Sequence, residues 1–113
     1  MSLALQRSEF FNRDFDLQYR WYLANAAEAV AEGYLRAVLA TLRSLAEQPD
    51  IGRRRVFRHP DLRGLRSFRV GPPFGIHLIF YRHAKSELIA ERLMHGARDL
   101  PRRLREPPGD EAE

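Results

Sequence analysis

The chain has 113 residues, 44% hydrophobic and 30% charged, with 19 Lys+Arg against 15 Asp+Glu and a formal net charge of +4. Those values describe one globular domain with a single modest core, not a disordered segment. Cysteine is absent, which excludes a disulfide scaffold, a thiol nucleophile and a Cys-ligated metal.

The first element is short. Leu3 to Arg7 alternates apolar and polar residues and reads as an edge strand. The same N-terminus lacks the long apolar core of a signal peptide. No apolar run reaches the ~20 residues that span a bilayer, so no membrane contact and a cytoplasmic location are expected. Ser8 is placed to cap a helix, with Glu9 favourable in its first turn. Phe11, Phe15, Tyr19 and Tyr22 then recur at helical spacing, which predicts a helix to about Leu23. This aromatic stripe reads as core packing rather than a base-stacking platform, which usually sits on a sheet or in a groove. Asn25-Ala26-Ala27-Glu28 has the form of a capping box. A second helix follows, with Ala27, Val30, Ala31, Tyr34, Val38, Thr41, Leu42 and Leu45 on one face and Leu35 and Leu39 widening it. Gly33 costs about 1 kcal/mol there against Ala, and close approach to the first helix is the expected reason for it. Pro49 and Gly52 close the helix. The short break before it makes an antiparallel αα-hairpin.

A basic connection comes next. Between Ile51 and Val70 stand seven arginines (53, 54, 55, 58, 63, 66 and 69) and one acid, Asp61. Such a run is either a solvated loop or a surface for an anionic partner. Three β-type runs follow in close succession. Around Phe68 and Val70 the pattern alternates, with Arg66 on their side and Leu65, Ser67 and Arg69 on the other. Ile76 to Tyr81 is apolar on both alternations, which marks a central strand covered on both faces or exposing one to a partner. The last strand is Leu88 to His95. The expected helix-facing residues are Phe68, Val70, Leu78 and Phe80. Residues 105–113 read as a flexible acidic tail after a single domain over 1–104.

Together these pieces resemble the ParE toxins of the ParE/RelE toxin–antitoxin superfamily. The residues that carry the resemblance are Pro49-Asp50-Ile51-Gly52, Leu62-Arg63-Gly64-Leu65-Arg66-Ser67-Phe68, Leu78-Ile79-Phe80-Tyr81-Arg82 and the ending His95-Gly96-Ala97-Arg98-Asp99-Leu100. The resemblance implies an α+β fold of order β-α-α-β-β-β, with an N-terminal edge strand and the helical hairpin packed on a small antiparallel sheet. It implies a plasmid-stabilising toxin that inhibits DNA gyrase and is silenced by a ParD-like antitoxin. No cofactor or metal is implied. The RelE-like branch instead cleaves mRNA on the ribosome.

The two branches ask different things of the residues. RNA cleavage needs a base, an acid and cations around a phosphate, for which His77, Tyr81, His95 and Arg98 are the candidates. Yet the third strand carries Ile76-His77-Leu78 where RelE-like members tend to have an arginine, and Asp99-Leu100 follows Arg98 with no Tyr or His in the tail. A gyrase inhibitor needs only a surface that docks on gyrase or on a gyrase–DNA complex, for which Arg53, Arg54, Arg55, Arg58, Arg63, Arg66, Arg69 and Arg98 are the candidates. These departures favour inhibition. Direct nucleic-acid binding by a basic module is the third reading, without a helix-turn-helix signature to support it.

Overall fold

The computed structural model describes residues 2–96 and 100–109. The elements run β1 (Ala4–Arg7), α1 (Glu9–Asn25), α2 (Glu28–Glu47), β2 (Arg53–Arg54), a 3-10 turn (Pro60–Leu62), β3 (Arg66–Arg69), β4 (His77–His83), β5 (Glu87–His95) and α3 (Leu100–Arg105). The sheet has five strands in the order β1-β5-β4-β3-β2. β1 lies parallel to β5, while the other pairings are antiparallel, so the sheet is mixed rather than purely antiparallel. β1 and β5 stand at opposite ends of the chain order, so no tight turn joins them and a parallel pairing is open to them.

Ser8 caps α1 as its position predicts, its hydroxyl accepting from the Phe11 amide at 3.0 Å. The capping box does not form. α1 runs on through Asn25, whose side-chain amide donates to the Trp21 carbonyl, and Ala27 starts α2 without a side-chain cap. Gly33 faces the Phe74 ring at ordinary contact distance rather than the first helix. Gly52 is the glycine that matters: a Cβ there would lie 2.3 Å from the Tyr81 hydroxyl.

The sheet separates two cores. On one face α1 and α2 pack Phe11, Tyr34, Val38, Leu42 and Leu45 against Val70, Ile79, Tyr81, Leu88, Ala90 and Leu93, with Phe68 at the margin. On the other face Leu62, Leu65, Phe80 and Met94 meet Leu100 and Leu104 of α3, with Leu78 and Phe57 at the margin. Phe68 and Val70 therefore face the helices as expected, and Leu78 and Phe80 do not. The register explains the correction: Phe68 stands opposite Ile79, and Ser67 opposite Phe80. Alternation within a strand was legible, but its phase relative to the next strand depends on the intervening turn.

A bulge in β5 shifts the phase again. Phe80 pairs with Arg92 and Tyr81 with Ala90, leaving Glu91 as the extra residue. Leu88, Ala90 and Leu93 thereby all reach the helical side, while Arg92 turns to the side of Phe80. The same side is closed by α3, which lies almost wholly ahead of the tail expected over 105–113. Pro101 takes the second position of that helix, where its missing amide costs little. Leu100, Leu104 and Pro108 are buried, and residues 110–113 lie outside the described residues.

Arg92 holds the two sides together. Its guanidinium meets Asp14 of α1 through Nε and Nη2 at 2.8 and 3.0 Å. Nη1 donates to the carbonyls of Arg103, Leu104 and Glu106, at the open C-terminal end of α3. Asp14 also accepts from the Leu93 amide at 3.0 Å. A bidentate, almost fully buried pair of this kind is well formed because nearly every donor finds an acceptor.

Candidate interaction site

Two of the four candidate nuclease side chains, His77 and Tyr81, occupy structural positions. His77 is 1% exposed, and its Nε2 shares a hydrogen bond with the Tyr22 hydroxyl at 2.9 Å. Burial, with the neighbouring His95 adding to it, lowers the His77 pKa to about 4, so the ring is neutral near pH 7. The Tyr81 hydroxyl donates to the Pro49 carbonyl at 2.7 Å and accepts from the Gly52 amide at 2.9 Å. Burial raises its pKa, against a smaller lowering by the Gly52 amide. Tyr81 is thus the peg on which the Pro49-Asp50-Ile51-Gly52 loop hangs. His95 is exposed at the end of β5, its ring edge-on to His77 at 5.3 Å. Arg98 and Asp99 lie outside the described residues.

The arginines of residues 53–69 divide by strand register. Arg53 stands opposite Ser67, which stands opposite Phe80, and Arg69 stands opposite Leu78. Both therefore project on the α3 side of the sheet. Arg55 joins them: its amide donates to the Leu65 carbonyl, and its Nη1 donates to the Ser67 hydroxyl at 3.1 Å. Its guanidinium lies over the rings of Phe57 and Phe80 at 5.9 and 5.7 Å. Burial, and then the charge of Arg53, lower its pKa. Arg54 and Arg66 form the opposite pair on the helical side.

Arg66 differs from the rest. It donates to the carbonyls of Asp50 and Gly52 at 3.2 and 3.0 Å and pairs with the Asp50 carboxylate at 3.3 Å. His83 approaches the same carboxylate at 2.8 Å. These contacts fasten the loop after α2 to the sheet and occupy Arg66. Arg58 and Arg63 stand exposed on the connection between β2 and β3. That connection is itself held by Arg82, whose guanidinium donates to the carbonyls of Asp61 and Arg63 and pairs with Glu91 at 3.3 Å. The edge encloses a cavity of about 240 Å³ bordered by Arg54, Arg55, Arg66 and His83.

Sequence reasoning thus found the basic edge and missed its supports. Asp14, Arg92 and Arg82 are scattered charges in the sequence, and only the register of β4 and β5 brings them to their partners. An acid inside the aromatic stripe of α1 was the available sign for Asp14, since an uncompensated charge there would be costly.

The model of a family described as "ParE toxin of type II toxin-antitoxin system, parDE" matches residues 5–100. The chain belongs to that family. Among solved structures, one described as "Chromosomal ParDE TA system from P. aeruginosa" has a chain similar to it, with a TM-score of 0.68 at 16% identity. The match covers 85% of this chain and 98% of that one, and it supports the ParE fold. No curated protein matches the chain. Among the described residues of this ParE-family toxin, no helix is long and apolar enough to cross a membrane.

Proposed function

We propose that this ParE-family toxin acts in the cytoplasm by docking on DNA gyrase, with its basic sheet edge as the target surface and a ParD-like antitoxin as its silencer. The observation that carries the reading is a division of labour among polar side chains. His77 and Tyr81, the buried groups that a nuclease mechanism would draw on, are hydrogen-bonded within the helical core. A general base has to reach its substrate, and the His77 imidazole is buried and engaged by the Tyr22 hydroxyl. The exposed arginines of the edge have no such internal employment. Docking requires no bond chemistry, so a cationic surface on a rigid sheet is sufficient for it. The antitoxin segment would bring acids to some of Arg53 to Arg69 and an apolar helical face to the hairpin.

The test is a pair of assays on the purified full chain. Gyrase supercoiling should be inhibited, with cleaved DNA trapped on the enzyme, and the antitoxin should relieve it. Replacing Arg53, Arg54 and Arg55 by Glu should weaken antitoxin binding markedly at low salt. Codon-phased cuts in translated mRNA, with gyrase unaffected, would replace this reading by the ribosome-dependent endonuclease.

A further inference from the structure

The basic edge is unusual in what its charges do not touch. The side chains of Arg53, Arg54, Arg58, Arg63 and Arg69 make no ion pair and no hydrogen bond with other described residues, and all five are exposed. The two acids nearest in sequence offer them nothing. Asp50 is engaged by Arg66 and His83, and Asp61 lies beside His59 at 3.7 Å. Like charges held together on a fixed strand pair raise the local positive potential, which an anion relieves.

The cations are also of one kind. Every basic residue from 53 to 69 other than His59 is arginine. A guanidinium offers a planar fork of donors that fits phosphate oxygens in pairs. Arg55 is already oriented by Ser67, Phe57 and Phe80, so little rotamer freedom remains to be lost when it binds. On extended backbone, alternate residues stand about 6.6 Å apart, so Arg53 on β2 and Arg55 just beyond it, with Arg69 on β3, present a row of charge instead of a single pocket.

Exposed apolar residues concentrate on the hairpin. Leu17, Trp21, Leu23, Val30 and Leu39 belong to α1 and α2, while Leu5 lies on β1 and Ile51 and Ile76 lie in loops. Within 53–69 only Val56 is of that kind. Trp and Tyr, which mark protein hot spots beside Arg, stand on the hairpin and not within 53–69, so the edge has charge alone to offer gyrase and any anion that gyrase holds. A uniform polyanion needs no more than that.

We propose that Arg53, Arg54, Arg55, Arg58, Arg63 and Arg69 grip the phosphate backbone of duplex DNA, so that the toxin contacts the DNA segment held by gyrase as well as the enzyme. The inference rests on the gyrase reading, which supplies the DNA. Binding is through phosphates and carries no base specificity, because these side chains project from a sheet edge and no helix or ribbon is presented to a groove.

Fluorescence anisotropy of the full chain with a labelled duplex of about 20 base pairs tests it across a salt series. Four or five phosphate contacts predict a slope of log K against log salt of about −4. The variant Arg53→Gln/Arg54→Gln/Arg69→Gln should lose about 3 of that slope and bind at least about tenfold more weakly at 100 mM salt. The variant Arg20→Gln/Arg36→Gln/Arg43→Gln has the same net charge and should keep the slope. Circular dichroism on both variants confirms that they remain folded. Equal loss in the two variants, no duplex binding by the wild type at 50 mM salt, or clearly tighter binding to single-stranded RNA would overturn the inference. A parallel supercoiling assay separates the two readings. Inhibition that persists in the wild type without duplex binding leaves gyrase docking intact and removes only the DNA contact. Loss of gyrase inhibition in the wild type removes the gyrase reading itself.

Discussion

The two faces of the sheet are built on opposite terms. The helical side is thick and aromatic: Phe15 stacks on Tyr34 with centroids 5.4 Å apart and planes 6° from parallel, and Tyr34 meets Phe74 and His77 edge-on or tilted. Its buried polar groups include His77, Thr41 and the hydroxyls of Tyr34 and Tyr81. The α3 side is thin. A six-residue helix and a 3-10 turn cover part of it, and arginines border the remainder. The helical side supplies most of the apolar burial and hence stability, while the α3 side leaves charge available at the surface. A small domain that must present a charged face gains from placing its main core entirely on the other one. The contrast also implies a weak point, because a short helix cannot hold itself on a sheet by propensity. Arg92 and Asp14 supply that hold.

The largest expected effect comes from breaking this tie. Asp14→Ala leaves the Arg92 guanidinium buried without its carboxylate, and breaking such a pair typically costs 3–5 kcal/mol, so a loss of about that size is expected in urea denaturation. Replacing both partners, as Asp14→Leu/Arg92→Met, removes the stranded charge and should recover part of the loss. Recovery stays incomplete because the carbonyls of Arg103, Leu104 and Glu106 lose their donor. Limited proteolysis should then cut within α3 before the helical side opens. A cost below about 1 kcal/mol for Asp14→Ala would show that α3 is held by its apolar contacts alone.

Much of the helical side was legible in the sequence, and less of the α3 side. Phe11 and Phe15, Tyr34, Val38, Leu42 and Leu45 announce themselves by a period near 3.6, and Ser8 by its place before the run. These are local signals. Leu78 and Phe80 lie on the α3 side and not the expected helical side, because strand parity fixes two faces without naming either. Glu91 could not be recognised as a bulge, since an extra residue exists only relative to a partner strand. α3 was hidden by Pro101 and by the Pro107-Pro108 pair, whose turn-forming character outweighed a six-residue helical pattern. The basic edge was visible as composition. Its division into free arginines and the engaged Arg66 depends on Asp50, which a loop brings back to β3. Pro49 to Gly52 and Tyr81 are among the residues that carry the family resemblance, and the structure supplies the physical link between them: Tyr81 leaves room only for a glycine at 52.

A smaller effect reports how dry the helical side is. Unfolded histidine titrates near 6.5, and folded His77 near 4. Between those values the unfolded chain binds the proton that the folded chain refuses. The stability that His77 contributes is therefore complete above about pH 6.5, falls as the pH drops, and stops falling below about pH 4. The loss attributable to this one group is about 2 kcal/mol by pH 5. Urea denaturation from pH 8 to pH 4.5 measures it, with His77→Gln as the reference that lacks the titration. The difference between the two profiles should shrink as the pH falls through this window. Parallel profiles would mean that His77 is hydrated and that the core is wetter than its burial indicates.

An effect of comparable or smaller size contrasts two tyrosines of the same core. The Tyr81 hydroxyl makes two hydrogen bonds to the loop after α2, whereas the buried Tyr34 hydroxyl has no partner among the described residues. Tyr81→Phe strands the Gly52 amide and the Pro49 carbonyl, a loss of about 1–3 kcal/mol by the usual cost of an unsatisfied buried group. Tyr34→Phe removes an unsatisfied hydroxyl from an apolar site while keeping the ring stack on Phe15, so it should be neutral or stabilising by up to about 1 kcal/mol. The same one-atom deletion is thus expected to act in opposite directions at positions that share one core. Thermal or urea denaturation of the two single variants and the double variant decides it. The double variant should equal the sum, because the Tyr81 hydroxyl acts through the loop and the Tyr34 hydroxyl through no bond at all. A destabilising Tyr34→Phe would reveal a partner for that hydroxyl and place a polar feature inside the face described above as closed and aromatic.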